Sequence, residues 1–152
     1  MSELRFDITT REWVIIATER GRRPNEFSAR KRMRNTPRES CPFCPGHEHE
    51  APAELYREPQ TGAWSVRVVP NKFPTLSPGP IQPPCATPSS GGMFFRQAGV
   101  GHHEIIIESP EHSARIATMS SEAVAAMLCA YRSRYQALRH NPAARLIIIF
   151  KN

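Results

Sequence analysis

The chain is 152 residues long, about one domain, and its 39% hydrophobic and 22% charged residues exclude a disordered protein. No apolar run approaches the roughly 18 residues of a membrane span, and no apolar segment follows a basic one at the start. We therefore expect a soluble, cytoplasmic protein without a secretory signal. The net charge of +6 favours an anionic partner, such as nucleic acid, a nucleotide sugar or an acidic protein.

The predicted elements follow the hydrophobic pattern of the chain. Short β-branched, apolar runs predict four strands, and the 15 prolines and 8 glycines predict long connections between them. A Pro-, Ser- and Gly-rich stretch at 75–92 has no periodicity and predicts a surface loop within a single domain, 1–152. In chain order, the elements are a strand at Trp13 to Ala17, a tight turn at Cys41 to Gly46, strands at Trp64 to Val69 and Glu104 to Glu108, a helix from Ser121, and a strand at Leu146 to Phe150.

Apolar residues at helical spacing predict one amphipathic helix near Ser121. Ser120 or Ser121 suits the N-cap, Glu122 suits the first turn, and Pro142 prevents the helix from continuing. Cys129 falls within the pattern and is predicted to lie in the core. The predicted buried face consists of Val124, Met127, Leu128, Tyr131, Tyr135 and Leu138.

A helix between two apolar strands implies a sheet layered against helices, so we predict an α+β fold. The last strand, Leu146 to Phe150, is a run of large apolar residues that requires partners on both faces and both edges. Four short strands do not complete such a sheet. The sequence therefore looks interrupted in the middle of its fold.

The chemistry of the chain is concentrated at its 4 cysteines. Without an export signal, the close pair Cys41-Pro-Phe-Cys44 indicates metal or redox chemistry rather than a disulfide. Two thiolates at this spacing suit two corners of a tetrahedral zinc site, leaving histidines or a carboxylate to complete it. A redox pair and plain reduced thiols stay open. The candidate histidines are His47 and His49, which would be sterically tight, and the more distant His102, His103 and His112.

Basic residues are concentrated between Arg20 and Arg38, where Glu26 is the single acid. Arginine forks suit phosphate oxygens, but an ordinary solvated basic loop explains the charge equally well. A small zinc-stabilised nucleic-acid-binding module is one function that this cluster allows. Against it, Phe27 is the one aromatic residue in the cluster for base stacking, and no reading motif is present.

Five segments carry a resemblance: Arg5 to Ala17, Arg20-Gly-Arg-Arg-Pro24, the CPFCPG turn from Cys41, Val69-Pro-Asn-Lys-Phe73, and Gly101 to Ser113. In order and spacing they resemble the amino-terminal half of the galactose-1-phosphate uridylyltransferases. That family belongs to the histidine-triad superfamily and includes related nucleoside-diphosphate-sugar phosphorylases. The resemblance implies half of a histidine-triad-type fold, with a mixed, largely antiparallel sheet and one amphipathic helix.

The resemblance also assigns zinc ligands by position. Cys41 and Cys44 match the family's two cysteine ligands, and His112 matches the third ligand. The fourth ligand of the family is the first histidine of a His-Pro-His-x-Gln segment, which would lie beyond Asn152. Zinc is therefore the cofactor that the resemblance implies.

Further positions match substrate contacts of the family. Asn71 and Lys72 match contacts to the ribose and base region, although a turn residue and an exposed loop lysine are the ordinary alternatives. Phe150 and Asn152 match a segment that lines the nucleotide pocket, and core packing is the alternative for Phe150. The last set, Arg20 and Arg23, matches basic residues that reach the sugar nucleotide of the partner subunit in a homodimer.

The implied reaction is a two-step exchange through a covalent nucleotidyl-histidine. Its nucleophile is the second histidine of His-Pro-His-x-Gln, and none of the 6 histidines here lies in such a motif, so we expect no transferase activity from this chain alone. The predicted parent is a UDP-glucose–hexose-1-phosphate uridylyltransferase of galactose metabolism, acting on UDP-hexose and hexose 1-phosphate rather than on nucleic acid or membranes. A phosphorylase of ADP-sugars or dinucleotides stays open, because the sequence does not reveal the base.

Overall fold

The structure is a computed structural model that describes residues 2–22, 37–83, 85–86, 94–142 and 144–151. Two predicted substrate contacts, Arg23 and Asn152, lie outside the described residues, as do most of the basic cluster and part of loop 75–92. The strands are β1 (Glu3–Asp7), β2 (Glu12–Ile16), β3 (Tyr56–Glu58), β4 (Val66–Pro70), β5 (Cys85–Ala86), β6 (Phe95–Ala98) and β7 (Glu104–Ile107), and the helix is α1 (Ser121–Arg139).

The chain divides into two compact units. Unit 1 combines Met1–Arg30 with Phe73–His103, and unit 2 combines Lys31–Lys72 with Glu104–Asn152. Each unit contains its own antiparallel sheet, with strand order β2-β1-β6-β5 in unit 1 and β3-β4-β7 in unit 2.

Unit 1 is organised by the hairpin of β1 and β2. Phe6 lies opposite Trp13, with ring centroids 5.4 Å apart. At the hairpin turn, the Asp7 carboxylate accepts hydrogen bonds from the Thr9 hydroxyl and, at 2.8 Å, from the Thr9 backbone N–H. These bonds lower the pKa of Asp7. The turn is completed by Arg11 in the left-handed region, at φ 59°.

Unit 2 is built on β4, which is buried on both faces of its sheet. On one face, Val66 packs against Met127 and Ala130 of α1. On the other face, Val69 packs against Trp64 and the end of β7. The strands predicted at Trp64 to Val69 and Glu104 to Glu108 are thus confirmed within two residues, because strands covered on both faces are rich in apolar β-branched residues.

The helix begins as predicted. The Ser120 hydroxyl accepts a hydrogen bond from the Ala123 N–H at 3.2 Å, which caps the first turn. On its sheet side, Tyr131 donates to the Glu108 carboxylate, and Arg134 forms two hydrogen bonds of 2.8 Å with Glu104.

The buried face of α1 differs from the predicted face. Leu128 is 53% exposed, and Tyr135 and Cys129 are exposed as well, so the predictions of burial for these three residues are wrong. The fully buried Ala130 takes their place beside Met127. A pattern of large apolar residues misses this face because the small Ala130 belongs to the buried cluster of Val66 and Met127.

The segment Leu146 to Phe150 forms no strand with any of the described residues, so the fourth predicted strand is wrong. Most of its side chains are exposed, with Leu146 77% and Phe150 67% accessible. An apolar run favours burial but does not by itself supply the hydrogen-bonding neighbour that a strand requires. Lys151, directly after this segment, forms an ion pair with Glu108.

The α+β fold is confirmed: antiparallel sheets combine with one amphipathic helix. The isolated bridge between Ser77 and Val100 is parallel. In the part of the chain that the structure describes, no helix has the length and apolar character needed to span a membrane.

Candidate metal centre

Three side chains that suit a metal ion converge in unit 2. The ligand atoms of Cys41, Cys44 and His112 all lie within 4.8 Å of one another. The Sγ of Cys44 is 3.1 Å from the Nδ1 of His112, although the two residues are 68 positions apart. The fold therefore joins the Cys-x-x-Cys pair to the one distant histidine that the resemblance had selected.

The two cysteines are placed by a tight turn. The Cys44 N–H donates to the Cys41 carbonyl at 3.2 Å, and the His47 N–H donates to the Cys44 carbonyl at 3.2 Å. Gly46 has φ +95°, a left-handed conformation that glycine adopts without strain. We call residues 41–46 the cysteine turn.

His112 is placed by a second turn, after β7. The Ser109 hydroxyl accepts from the Glu111 N–H at 3.0 Å, and the Ala114 N–H donates to the Glu111 carbonyl at 3.2 Å. Because β7 ends at the buried Ile107, this turn starts from a fixed point of the core.

The donors fit a zinc ion by their chemistry. Two sulfurs and one imidazole nitrogen suit zinc, whose tetrahedral bonds of about 2.0–2.3 Å place ligand atoms about 3.3–3.8 Å apart. Cys44 is 3% exposed, and its burial, together with the neighbouring Cys41, raises the pKa of its thiol. Because a thiolate is the ligand form, metal binding here is coupled to proton release.

A cavity of about 210 Å³ adjoins the three donors. Besides the donor side chains, its lining includes the apolar Phe43, Ile107 and Met119 and the acidic Glu108 and Glu111. One side of the donor set therefore faces space for a fourth ligand.

The turn is connected to the core by Glu48, a residue that the sequence analysis did not select. Its carboxylate accepts from the Gly46 N–H at 2.8 Å and from the Trp64 indole N–H at 2.8 Å. The Trp64 bond is the largest cause that lowers the pKa of Glu48, so the carboxylate stays ionised. An acidic residue two positions after the turn glycine is the one sequence signal that could have indicated it.

The other candidate histidines do not join the donor set among the described residues. The ring of His47 hydrogen-bonds the Cys41 carbonyl at 2.6 Å, and His49 and His102 are exposed. His103 lies in unit 1, where its Nδ1 accepts from the Thr75 N–H at 3.0 Å. Burial lowers the pKa of His103, as does the charge of Arg20, which favours the neutral ring.

The predicted substrate contacts lie in both units. In unit 1, the Arg20 guanidinium donates to the Phe73 carbonyl at 3.1 Å. In unit 2, the half-buried Asn71 directly follows β4 and is followed by the exposed Lys72, while Phe150 is exposed near the end of the described chain. Their roles stay predictions.

Replacing His112 with Ala is expected to weaken zinc binding by at least about a hundredfold, the upper end of the cost of losing a residue that only orients a ligand, while water replaces the nitrogen and leaves measurable affinity. Zinc affinity measured by competition with a chromogenic chelator checks this result. His49→Ala, at an exposed histidine next to the cysteine turn, is the matched control and should bind as the unmodified chain does. Equal affinity of the two variants would contradict the placement of His112 at the metal.

The sequence matches a known family over its whole length. Residues 1–152 match the family described as Galactose-1-phosphate uridyl transferase, N-terminal domain. The curated relative ADP-glucose phosphorylase of Arabidopsis thaliana is 34% identical over 152 residues, which are 99% of this chain and 43% of that protein. The Galactose-1-phosphate uridylyltransferase of Thermotoga maritima is 24% identical over 152 residues, covering 100% of this chain and 41% of that protein.

A solved uridylyltransferase structure has the same fold. It superposes with a TM-score of 0.56 at 21% identity, covering 93% of this chain and 37% of that chain. The chain thus spans less than half the length of each of these proteins.

Proposed function

Since the chain belongs to the galactose-1-phosphate uridyl transferase family, we propose that it forms the amino-terminal part of an enzyme that transfers a nucleotidyl group from a nucleoside diphosphate sugar. The observation that carries the proposal is the convergence of Cys41, Cys44 and His112 within a chain that matches this domain from end to end. Reduced cysteines at such a site agree with a cytoplasmic enzyme.

We propose zinc as the metal held by Cys41, Cys44 and His112, with a structural role. When bound, the ion joins the cysteine turn to the turn after β7, two segments far apart in sequence. A tetrahedral ion accepts one more ligand. The histidine of a His-Pro-His-x-Gln segment outside these 152 residues is our candidate.

The proposed reaction exchanges one bond at phosphorus for another in two steps. In the first step, a histidine nitrogen bonds to the α-phosphorus, and the bond between the α-phosphorus and the sugar 1-phosphate breaks. In the second step, an oxygen of the acceptor phosphate bonds to the α-phosphorus and displaces the histidine. That histidine belongs to the same outside segment, so transfer requires more of the protein than this chain. In this proposal Asn71, Lys72 and Phe150 contact the nucleotide.

Two residues of the basic cluster are proposed to complete the site across a homodimer. Arg20 and Arg23 would reach the phosphates of the nucleotide sugar bound to the partner subunit. One N–H of the Arg20 guanidinium donates to the Phe73 carbonyl. A guanidinium has five N–H donors in a fork that suits phosphate oxygens.

The nucleotide base and the acceptor define two candidate reactions. The identity of 34% to a protein named ADP-glucose phosphorylase favours an ADP-sugar as donor and phosphate as acceptor. The family match and the relative named Galactose-1-phosphate uridylyltransferase support the second candidate, exchange between UDP-hexose and hexose 1-phosphate.

Product analysis with the whole protein that carries these residues tests the proposal. It is incubated with ADP-glucose and phosphate, or with UDP-glucose and galactose 1-phosphate, and the nucleotides are separated by chromatography. Formation of ADP identifies the phosphorylase, and formation of UDP-galactose identifies the uridylyltransferase. Absence of both products would contradict the proposal.

A variant at Asn71 tests the proposed nucleotide contact in the same assay. Asn71→Ala should raise the KM for the nucleotide sugar about three- to tenfold, because one hydrogen bond contributes about 0.5–1.5 kcal/mol. Gln60→Ala, at an exposed turn of the same unit, is the control and should leave the KM unchanged. An unchanged KM for Asn71→Ala would remove Asn71 from the site.

A further inference from the structure

Apart from the buried Cys44, the cysteine turn is largely exposed. Phe43 is exposed, and so are Pro45 and Gly46 at the end of the turn. A metal site whose ligands come from two separate turns requires something that holds those turns at the right distance before the ion binds. In unit 2, a series of contacts runs from the cysteine turn to the strand that precedes His112.

That route runs through Glu48 and the buried core. One carboxylate oxygen of Glu48 holds the Gly46 N–H, and the other holds the indole N–H of Trp64, both at 2.8 Å. Trp64 is 5% exposed and packs in one cluster with Val69 and Ile107. Ile107 is the last residue of β7, five positions before His112. Glu48 thus connects the turn of the sulfur ligands to the strand that leads to the nitrogen ligand.

Both oxygens of Glu48 are engaged by these donors, and its carboxylate is not part of the metal-binding group. It therefore acts through the position of the turn and not as a ligand. A carboxylate accepts two such bonds better than an amide, which has a single acceptor oxygen and would point an N–H₂ group at the second donor.

We propose that Glu48 is a positioning residue that presets the cysteine turn for metal binding by tying it to Trp64. This inference rests on the metal site of the proposed function. Loss of a group that orients metal ligands typically lowers metal affinity 10- to 100-fold, so Glu48→Ala should weaken zinc binding by about this factor. Glu48→Gln should fall between Glu48→Ala and the unmodified protein.

Trp64, which donates its indole N–H to Glu48, provides an independent variant. Trp64→Phe keeps the aromatic ring and removes the indole N–H that Glu48 accepts. Its zinc affinity should fall as well. The fold-loss of affinity in the double variant with Glu48→Ala should be smaller than the product of the two single fold-losses, because both substitutions remove the same hydrogen bond. Glu50→Ala removes an equal charge from an exposed residue of the same short helical turn, and should leave affinity unchanged.

The measurements are zinc affinity by chelator competition, the visible spectrum of the Co²⁺ form, and metal-free unfolding in urea. A positioning role predicts a larger loss of affinity than of metal-free stability, and a changed Co²⁺ spectrum. If Glu48→Ala does not fold, Glu48→Gln and Trp64→Phe carry the comparison. Equal affinities of Glu48→Ala, Glu50→Ala and the unmodified protein would overturn the positioning role alone. Failure of the unmodified protein to bind zinc would overturn the metal site and the positioning role together.

Discussion

Replacing Cys44 with Ser is expected to abolish stoichiometric zinc binding and to lower the stability of unit 2. Cys44 is the buried member of the pair and the sulfur nearest to His112. A serine hydroxyl is a poor zinc ligand, and the substitution removes one of the two anionic thiolates, which suit zinc better than the water that would replace them. At a zinc concentration 1,000-fold above the dissociation constant, binding to the folded state contributes about 4 kcal/mol, and this contribution should disappear.

The measurement combines metal content by mass spectrometry with thermal unfolding, each with and without added zinc. Cys129→Ser is the matched control, because this cysteine is exposed on α1 and outside the metal-binding group. It should retain one zinc per chain and the zinc-dependent rise in Tm. If Cys44→Ser also retained one zinc per chain and the same rise in Tm, the metal assignment would be wrong. Cys41→Ser should behave as Cys44→Ser does.

The sequence predicts those elements of the fold that depend on local patterns. The strands β2, β4 and β7 lie in segments rich in apolar β-branched residues, and α1 begins directly after Ser120, one of the two predicted caps, and ends before Pro142. Strand β6 pairs with β1, which is distant in sequence, and the residues of β6 carry no clear period. The segment Leu146 to Phe150 shows the opposite case, since a strong local pattern formed no strand.

The candidate site divides in the same way. Cys41 and Cys44 could be predicted from spacing, because one turn places both sulfurs. His112 is 68 residues from Cys44, and the resemblance selected it where spacing did not. Glu48 and Trp64 were missed, because a carboxylate that bonds a tryptophan 16 positions away looks like any other surface acid in the sequence. The parts that the sequence leaves open are those that depend on tertiary contacts.

A second large effect, on the free energy of unfolding, is expected from substitutions at the buried ion pair of Arg67, an arginine of β4 in unit 2. Arg67 is 0% exposed, its Nε donates to the Glu54 carboxylate, and its guanidinium lies 5.2 Å from the ring centroid of Trp64. Within the described part of the chain, its Nη1 and Nη2 have no hydrogen-bond partner. The Glu54 carboxylate is therefore the anion that compensates a buried charge with two unsatisfied nitrogens.

Removing the two partners should have unequal effects. Glu54→Ala removes the ion-pair partner of the buried guanidinium and is expected to lower the free energy of unfolding by about 3 kcal/mol. Arg67→Met removes the charge and both unsatisfied nitrogens and keeps a side chain of similar length, so it should cost less than about 1 kcal/mol or even stabilise unit 2. The double variant should resemble Arg67→Met, because Glu54 has no buried charge left to compensate.

Urea unfolding followed by tryptophan fluorescence distinguishes these outcomes. The chain has 2 tryptophans, so a Trp13→Phe background leaves Trp64 as the reporter of unit 2. Arg57→Met is the control, because Arg57 pairs with the same Glu54 carboxylate at 3.2 Å from a partly exposed position, where an ion pair contributes about 0–1 kcal/mol. If Arg67→Met proved as destabilising as Glu54→Ala, the arginine would be a net stabiliser of the core. The expected inequality instead makes Arg67 a buried charge that unit 2 tolerates because Glu54 compensates it.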